Sequence, residues 1–189
     1  MKRNYYILGI GMSAGGLQSL AEFFSKLDGH LPVAIVLATH LQQNYHAKLF
    51  DILSSKTNMA LISVEDGIEL QQGNIYIVGS NLKATVHQNR LKVGYAGPGT
   101  HIIDILLNSL AADSAEQAIG MILSGTGNDG AEGLKAISEA GGQVLVQEPF
   151  SALYQSLPRL AIKIDHPDKV LPPVRLATWM NKKLGTAET

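Results

Sequence analysis

The segment of residues 7–17 constrains the fold more than any other part of the chain, because a strand pattern there passes into a helix pattern through a glycine-rich turn. In a parallel α/β sheet such a junction lies at the carboxyl edge of the sheet, where binding and catalytic sites are built. The spacing Gly11-x-Ser13-x-Gly15 also matches a nucleophile elbow. In that motif, small neighbours allow a strained turn to expose a serine hydroxyl.

Strand and helix patterns alternate along the rest of the chain. Residues 33–39 and 118–123 are almost entirely apolar, which is typical of strands buried on both faces of a sheet. Residues 17–26 and 102–112 carry apolar side chains at helical spacing. The order predicts an α/β fold: a three-layer α/β/α, doubly wound, mostly parallel sheet.

One part of the pattern does not fit the central sheet. Two alternating segments on either side of residues 88–90 predict a β-hairpin, placed at an edge of the sheet or as an excursion from it. With no repeat or linker in its 189 residues, the chain is interpreted as one domain over residues 1–185, followed by a frayed tail over residues 186–189.

Composition excludes several classes of function. The chain is 46% hydrophobic and 16% charged with a net charge of -1, which is typical of a soluble globular protein and predicts no nucleic-acid partner. The lack of cysteine excludes disulfides, thiolate catalysis and cysteine-based zinc sites. Lys2 and Arg3 precede a short apolar stretch, but no convincing signal-peptide cleavage site follows. No run approaches the ~20 apolar residues that span a bilayer, so we expect a cytoplasmic protein without membrane insertion.

Three polar residues follow strands of the predicted sheet. Ser13 follows the first strand, His40 ends the second, and Asp129 lies just past a later strand. A serine nucleophile needs an imidazole base, and the base needs a carboxylate to orient it. The sequence therefore predicts a Ser13–His40–Asp129 triad at one sheet edge. Its chain order differs from that of the α/β-hydrolases.

Each member of this triad has a structural alternative. Ser13 could cap the helix that follows it, since serine is favoured at helix N-caps. His40 could be a hydrogen-bonded histidine of the core. Asp129 could cap the helix that begins after Gly130.

Other candidate sites are weaker. The spacing of Gly9, Gly11 and Ala14 loosely fits a dinucleotide fingerprint, but His40 stands where the acidic ribose ligand belongs. His101 and Asp104 could form a metal pair, although two ligands do not make a site and a helix start is the preferred interpretation. We therefore predict no metal and no cofactor.

Several separate motifs resemble the catalytic domain of the chemotaxis protein-glutamate methylesterase (CheB-type) family. The similarity runs from about residue 6 to residue 184, and the matching stretches are residues 10–16, 39–41, 65–67, 73–77, 122–131 and 157–162. The resemblance assigns the nucleophile, base and orienting carboxylate to Ser13, His40 and Asp129. It implies hydrolysis of glutamyl γ-methyl esters on chemoreceptors or related signalling proteins, with glutamine deamidation as a related activity.

A serine esterase also needs a substrate and oxyanion region, and the sequence offers candidates for it. Its residues are Gly11, Met12, Ala14, Thr126, Gly127 and Arg159. Backbone N–H groups near the nucleophile and in the 126–127 loop would hold the oxyanion, and Arg159 could either contact an anionic substrate or form a structural salt bridge.

The chain departs from the usual family pattern. Ala14 replaces a threonine, Thr126 and Leu157 replace methionines, and residues 97–104 lack a basic, proline-containing run. These variants resemble methylesterase-like domains fused to methyltransferase domains, which suggests a methyltransferase or sensory partner. Family members usually carry an N-terminal receiver domain, and we expect no phosphoryl control within this polypeptide. The competing hypotheses are a non-catalytic partner-binding module and a serine hydrolase acting on another methyl ester or amide.

Overall fold

A seven-stranded sheet lies at the centre of the computed structural model, which describes residues 3–40 and 43–185. Every neighbouring pair of strands in this sheet is parallel. The strands in the described residues are β1 (Tyr6–Met12), β2 (Val33–Thr39), β3 (Ala60–Ser63), β4 (Asn74–Ile77), β5 (Leu82–His87), β6 (Arg90–Tyr95), β7 (Ala118–Ile122), β8 (Gln143–Gln147) and β9 (Lys169–Leu171). The strand order is β3-β4-β2-β1-β7-β8-β9, with β1 between β2 and β7.

Helices cover both faces of the sheet, as the sequence predicts. They are α1 (Gly16–Phe24), α2 (Gln43–Ser54), α3 (Ile102–Ser114), α4 (Ala131–Glu139), α5 (Ser156–Ile164) and α6 (Pro173–Leu184). Helices α1, α2 and α6 contribute to one buried cluster, and α3, α4 and α5 contribute to the other. Within the described residues, no helix is both long and apolar enough to cross a membrane.

Strand β2 shows why the sheet is buried on both faces. Val33, Ile35 and Leu37 enter the cluster of α1, α2 and α6, whereas Ala34 and Val36 enter the opposite cluster. All are fully buried. Because side chains alternate along a strand, an uninterrupted apolar run is what a sheet covered on both faces requires.

Glycines in β1 bring α3 close to the sheet. A Cβ on Gly9 would lie 2.6 Å from a methyl carbon of Leu110, and one on Gly11 would lie 2.3 Å from a methyl carbon of Ile103. The Gly9-x-Gly11 pattern therefore serves helix–sheet packing in this fold. Packing alone therefore explains the two glycines, and the dinucleotide fingerprint is not needed to account for them.

The β-hairpin prediction is confirmed. Strands β5 and β6 form a separate antiparallel sheet, joined by Gln88 and Asn89. Both residues have positive φ, 48° and 64°, which is the conformation of a type I′ turn and suits asparagine. The hairpin packs against α3, where the backbone N–H of Val86 donates a hydrogen bond to Ser109 Oγ at 2.9 Å.

Two elements near the carboxyl end are absent from the sequence prediction. Helix α5 contains Pro158, but the proline stands in the first turn, where a backbone N–H is not needed. Strand β9 has only three residues and pairs with β8 at the sheet edge. The predicted frayed tail, residues 186–189, lies outside the described residues.

Candidate active site

Ser13, His40 and Asp129 lie at the carboxyl edge of three adjacent strands. Strand β1 ends at Met12, β2 ends at Thr39, and Asp129 follows β7 after a glycine-rich loop. The chain passes from β1 to β2 on one side, while β7 lies on the other side of β1. Ligands of open α/β sheets bind in the crevice that forms at such a switch point.

The turn at Ser13 is held by its backbone. The Ser13 N–H donates to Ser124 O at 3.1 Å, and the Gly16 N–H donates to Ser13 O at 3.0 Å. Gly15, with φ of 75°, is the N-cap of α1, and no side chain caps this helix. The Ser13 hydroxyl has no hydrogen-bond partner among the described residues. The alternative that Ser13 serves as a helix cap is therefore wrong.

His40 and Asp129 form a direct hydrogen bond. The distance from His40 Nε2 to Asp129 Oδ2 is 2.6 Å. The His40 side chain is 40% exposed, whereas that of Asp129 is 10% exposed. The alternative of a core histidine is wrong, because the imidazole projects from the sheet edge toward solvent.

Asp129 is fixed by the start of α3. Its Oδ2 accepts the N–H of Ile103 at 2.9 Å, and its Oδ1 accepts the N–H of Asp104 at 2.8 Å. Burial raises the pKa of Asp129, but the hydrogen bonds from His40 and the two amides outweigh burial and leave this pKa below its ordinary value. The alternative that Asp129 caps the helix after it, α4, is wrong, because Gly130 is the N-cap of α4. Asp129 instead caps α3.

A model of the CheB methylesterase family matches residues 8–180 of this chain. The chain belongs to the CheB methylesterase family. Protein-glutamate methylesterase/protein-glutamine glutaminase 3 of Myxococcus xanthus is 33% identical over 169 residues, covering 88% of this chain and 47% of that protein. A Leptospira interrogans relative, whose name assigns the same two activities provisionally, is 29% identical over 181 residues and covers 92% of both chains. This chain therefore spans nearly all of one relative and about half of the other.

The fold of this CheB-family chain matches a solved structure. The catalytic domain of Thermotoga maritima CheB methylesterase superposes with a TM-score of 0.85 and 24% sequence identity. The match covers 95% of this chain and 99% of that domain. This match confirms the predicted fold class, and the family model confirms the family resemblance.

The predicted oxyanion region of the CheB-family chain divides into two groups. Gly11 and Met12 lie inside β1, where Gly11 faces α3 and the Met12 side chain is fully buried, so both have packing roles. The amides of Ala14, Thr126 and Gly127 have no acceptor among the described residues. These three N–H groups remain available to a ligand, whereas that of Ser13 is already bonded to Ser124.

Ser124 and Gln147 support the turn that carries Ser13, and sequence analysis missed both. Ser124 Oγ donates to Ala14 O at 2.9 Å and accepts the Tyr154 N–H at 3.0 Å. Gln147 Oε1 accepts the Ser124 N–H at 2.8 Å. Both side chains are completely buried. A serine beside a glycine loop and a glutamine ending a strand give no local signal of this role, because the contacts join segments far apart in sequence.

Arg159 lies on the exposed surface of α5. Its Nη2 donates to Gln155 Oε1 at 2.8 Å, and its guanidinium stacks 5.2 Å above the centre of the Phe150 ring. It makes no salt bridge with a carboxylate in the described part of the chain, so the salt-bridge alternative is wrong. The guanidinium remains accessible to an anionic group.

Two cavities adjoin the site. A cleft of about 470 Å³ contains His40 and Tyr95, and no acidic or basic side chain besides His40 lines it among the described residues. A smaller pocket of about 230 Å³ contains Ser13, with Tyr45 and Leu153 on its rim. The large hydrophobic residues that are exposed in the described structure all stand in segments around this edge: Tyr45, Tyr95, Phe150, Leu153 and Tyr154.

Three side chains of the kinds that bind metal ions also lie close together at the site. His101, Asp104 and Asp129 place one ligand atom each within 4.8 Å of the others. However, both oxygens of Asp129 and Oδ1 of Asp104 accept backbone N–H groups, and Asp104 Oδ2 lies 3.1 Å from His101 Nδ1. The carboxylates of this cluster therefore act as helix caps.

Proposed function

We propose that this protein is a serine carboxyl-esterase that hydrolyses glutamate γ-methyl esters on chemoreceptor-like signalling proteins and releases methanol. The observation that carries the proposal is the 2.6 Å hydrogen bond between His40 Nε2 and Asp129 Oδ2, on the sheet edge that also bears Ser13. Membership of the CheB methylesterase family supports the reaction class, and the names of the relatives support the substrate. The proposal places the reaction in the cytoplasm.

In this proposal Asp129 sets the tautomer of His40. An ionised carboxylate only accepts hydrogen bonds, so Nε2 of the neutral imidazole carries the proton and Nδ1 is the base. As Ser13 Oγ attacks the γ-carbonyl carbon of the ester, its proton passes to His40 Nδ1. The free Ser13 hydroxyl and the exposed imidazole would be aligned by the bound substrate, as catalytic hydrogen bonds often are.

The same two side chains, His40 and Ser13, then act in the release of the products. His40 Nδ1–H protonates the leaving methoxy oxygen as the carbon–oxygen bond breaks, and methanol departs from a glutamyl ester of Ser13. Water, deprotonated by Nδ1, then attacks this ester, and the proton returns to Ser13 Oγ. Glutamate is the product. A glutamine side chain would follow the same route with ammonia as the leaving group.

Free amides at the turn would stabilise the negative charge of the tetrahedral intermediate. The N–H of Ala14 follows the nucleophile directly, and those of Thr126 and Gly127 stand in the loop after β7. Each well-placed donor of this type contributes about 3–4 kcal/mol to transition-state stabilisation. Because the Ser13 N–H already donates to Ser124 O, we infer that the later amides take this role.

The exposed apolar side chains favour a protein over a small ester as the substrate. Leu153 is 69% exposed and lines the pocket that contains Ser13, and Phe150, 81% exposed, lies three residues before it. Exposed apolar surface beside a reaction centre is typical of a site that a partner protein covers. We therefore infer that a methylated signalling protein is the substrate, with a methyltransferase acting on the same protein.

Methanol release from a methylated receptor tests the function. Wild type should release methanol, Ser13→Ala should not, and Ser54→Ala, on the exposed side of α2, should behave as wild type. Equal, uncatalysed release by wild type and Ser13→Ala, with receptor binding retained, would instead indicate a non-catalytic binding module. Release only from other esters or amides would reassign the substrate.

A further inference from the structure

Asp104 forms a second, buried set of hydrogen bonds next to Asp129. Its Oδ1 accepts the N–H of Gly130 at 2.9 Å and the N–H of Gly133 at 2.8 Å. The N–H groups of the first helical turn have no partner within the helix. Asp104, itself in the first turn of α3, therefore caps α4.

The two aspartates cap each other's helices. Asp129, which precedes α4, accepts from Ile103 and Asp104 at the start of α3, and Asp104 accepts from Gly130 and Gly133 at the start of α4. Asp104 is both a donor and an acceptor in this arrangement, because its backbone N–H donates to Asp129 Oδ1 while its carboxylate accepts from α4. The two helix N-termini and both carboxylates thus form one closed network.

Gly130 links this network to Asp129, because it is the next residue in the chain and its N–H donates to Asp104. Its φ is 105°, a conformation that other residues rarely adopt, and a Cβ there would lie 2.6 Å from side-chain carbons of Ile103 and Ile122. The bond from the Gly130 N–H to Asp104 fixes the peptide that joins Asp129 to Gly130. This peptide sets the direction in which the Asp129 side chain leaves the backbone.

The other carboxylate oxygen of Asp104 is also occupied. Asp104 Oδ2 lies 3.1 Å from Nδ1 of His101, the N-cap residue of α3. The Asp104 side chain is only 12% exposed. With both oxygens engaged, the carboxylate has little freedom to rotate.

We propose that Asp104 is a positioning residue for the His40–Asp129 pair. It holds the Gly130 and Gly133 amides, and through them it keeps Asp129 Oδ2 within hydrogen-bond distance of His40 Nε2. The kinetic part of this inference rests on the proposed esterase function. The structural part concerns the imidazole proton and is independent of turnover.

The test compares Asp104→Ala, Asp104→Asn and Asp104→Glu with the wild type. Alanine removes the acceptor, asparagine keeps an acceptor oxygen in place, and glutamate keeps the charge but displaces the acceptor by one methylene group. Glu132→Ala is the matched control, since it removes an exposed carboxylate from the first turn of the same helix α4.

Two measurements are made on each folded variant. The first is kcat and KM for a small activated ester and for a protein methyl ester. The second is the downfield proton resonance of the short His40–Asp129 hydrogen bond, assigned by its loss in His40→Ala. Thermal unfolding reports stability separately from both.

We expect Asp104→Ala to lower kcat about ten- to a hundredfold for both esters with little change in KM, because misplacement of a catalytic group affects the reaction step. The imidazole proton resonance should broaden or disappear. Asp104→Asn should retain the wild-type kcat and the resonance, and Glu132→Ala should change neither. If Asp104→Ala does not fold, Asp104→Glu should show the same losses.

Wild-type kcat and an unchanged resonance in the folded alanine or glutamate variant would overturn the proposal. Loss of thermal stability alone, with kcat of the folded fraction unchanged, would also overturn it. A wild type without esterase activity whose resonance disappears in Asp104→Ala would refute the proposed function and leave the positioning role supported.

Discussion

The imidazole of His40 and the carboxylate of Asp129 meet at 2.6 Å across two strand ends, although 89 positions separate them in the sequence. The carboxylate is held by the helix that follows the hairpin, and the imidazole stands at the end of a neighbouring strand. In the proposed function, this pair supplies an oriented base at the sheet edge that also bears Ser13.

Replacement of Asp129 by asparagine should remove most of the activity. The oxygen of the new carboxamide could still accept from α3, but its NH₂ group would face His40 and favour the tautomer with the proton on Nδ1. That tautomer cannot deprotonate Ser13, so kcat should fall by about three to four orders of magnitude, as in other triads. Steady-state methanol release measures it, and a fall of less than tenfold would contradict the assignment of Asp129.

Stability should depend on pH through the same carboxylate. Because the pKa of Asp129 is lower in the folded protein than in the unfolded chain, its ionised form stabilises the fold at neutral pH. This contribution is lost as the pH falls through the native pKa. The difference in free energy of unfolding between wild type and Asp129→Asn should therefore be largest near neutral pH and shrink below about pH 4. Urea titrations across that range measure it, and a pH-independent difference would count against the prediction.

A side chain at Gly11 should destabilise the fold, because α3 packs directly on it. Gly11→Ala would place Cβ 2.3 Å from Ile103, and overpacking of this kind costs about 1–3 kcal/mol. Gly94→Ala in β6 is the control, since its nearest atom is a flexible lysine carbon at 3.5 Å. Chemical denaturation of both variants provides the comparison. Equal stability of the two would refute the packing role.

Leu153 should contribute to recognition of a protein substrate. Leu153→Ser removes apolar surface beside Ser13, so KM for a methylated protein should rise about tenfold if that surface is buried in the complex. A small activated ester does not reach the rim, and its kcat and KM should stay unchanged. An equal effect on both esters would instead indicate a disturbed nucleophile turn.

Sequence patterns were sufficient for much of the fold because local spacing encodes burial. The uninterrupted apolar run of β2 predicted a strand covered on both faces, and alternation around residues 88–90 predicted the hairpin. Helix α5 was not predicted, because Pro158 in its first turn is a residue that usually indicates the end of a helix. Strand β9 was not predicted, because three residues are too few to show the alternation of a strand.

The helix caps show where sequence reasoning fails. Ser13 and Asp129 both precede helices, so local propensity favours each as a cap of the helix that follows. In the structure neither does so: the Ser13 hydroxyl is free among the described residues, and Asp129 caps α3. Gly15 and Gly130 occupy the N-cap positions instead, and they leave both polar side chains for the sheet edge.

The sequence alone determined the alternation of strands and helices, the glycine-rich turn around Ser13, and the three residue types suited to ester hydrolysis. Burial periodicity and turn chemistry are local properties, and the order of residues expresses them directly. Only the tertiary structure decided that β1 lies between β2 and β7, that His40 meets Asp129, and that Asp104 and Asp129 exchange caps. Those relationships arise from packing between segments distant in sequence, which no local pattern specifies.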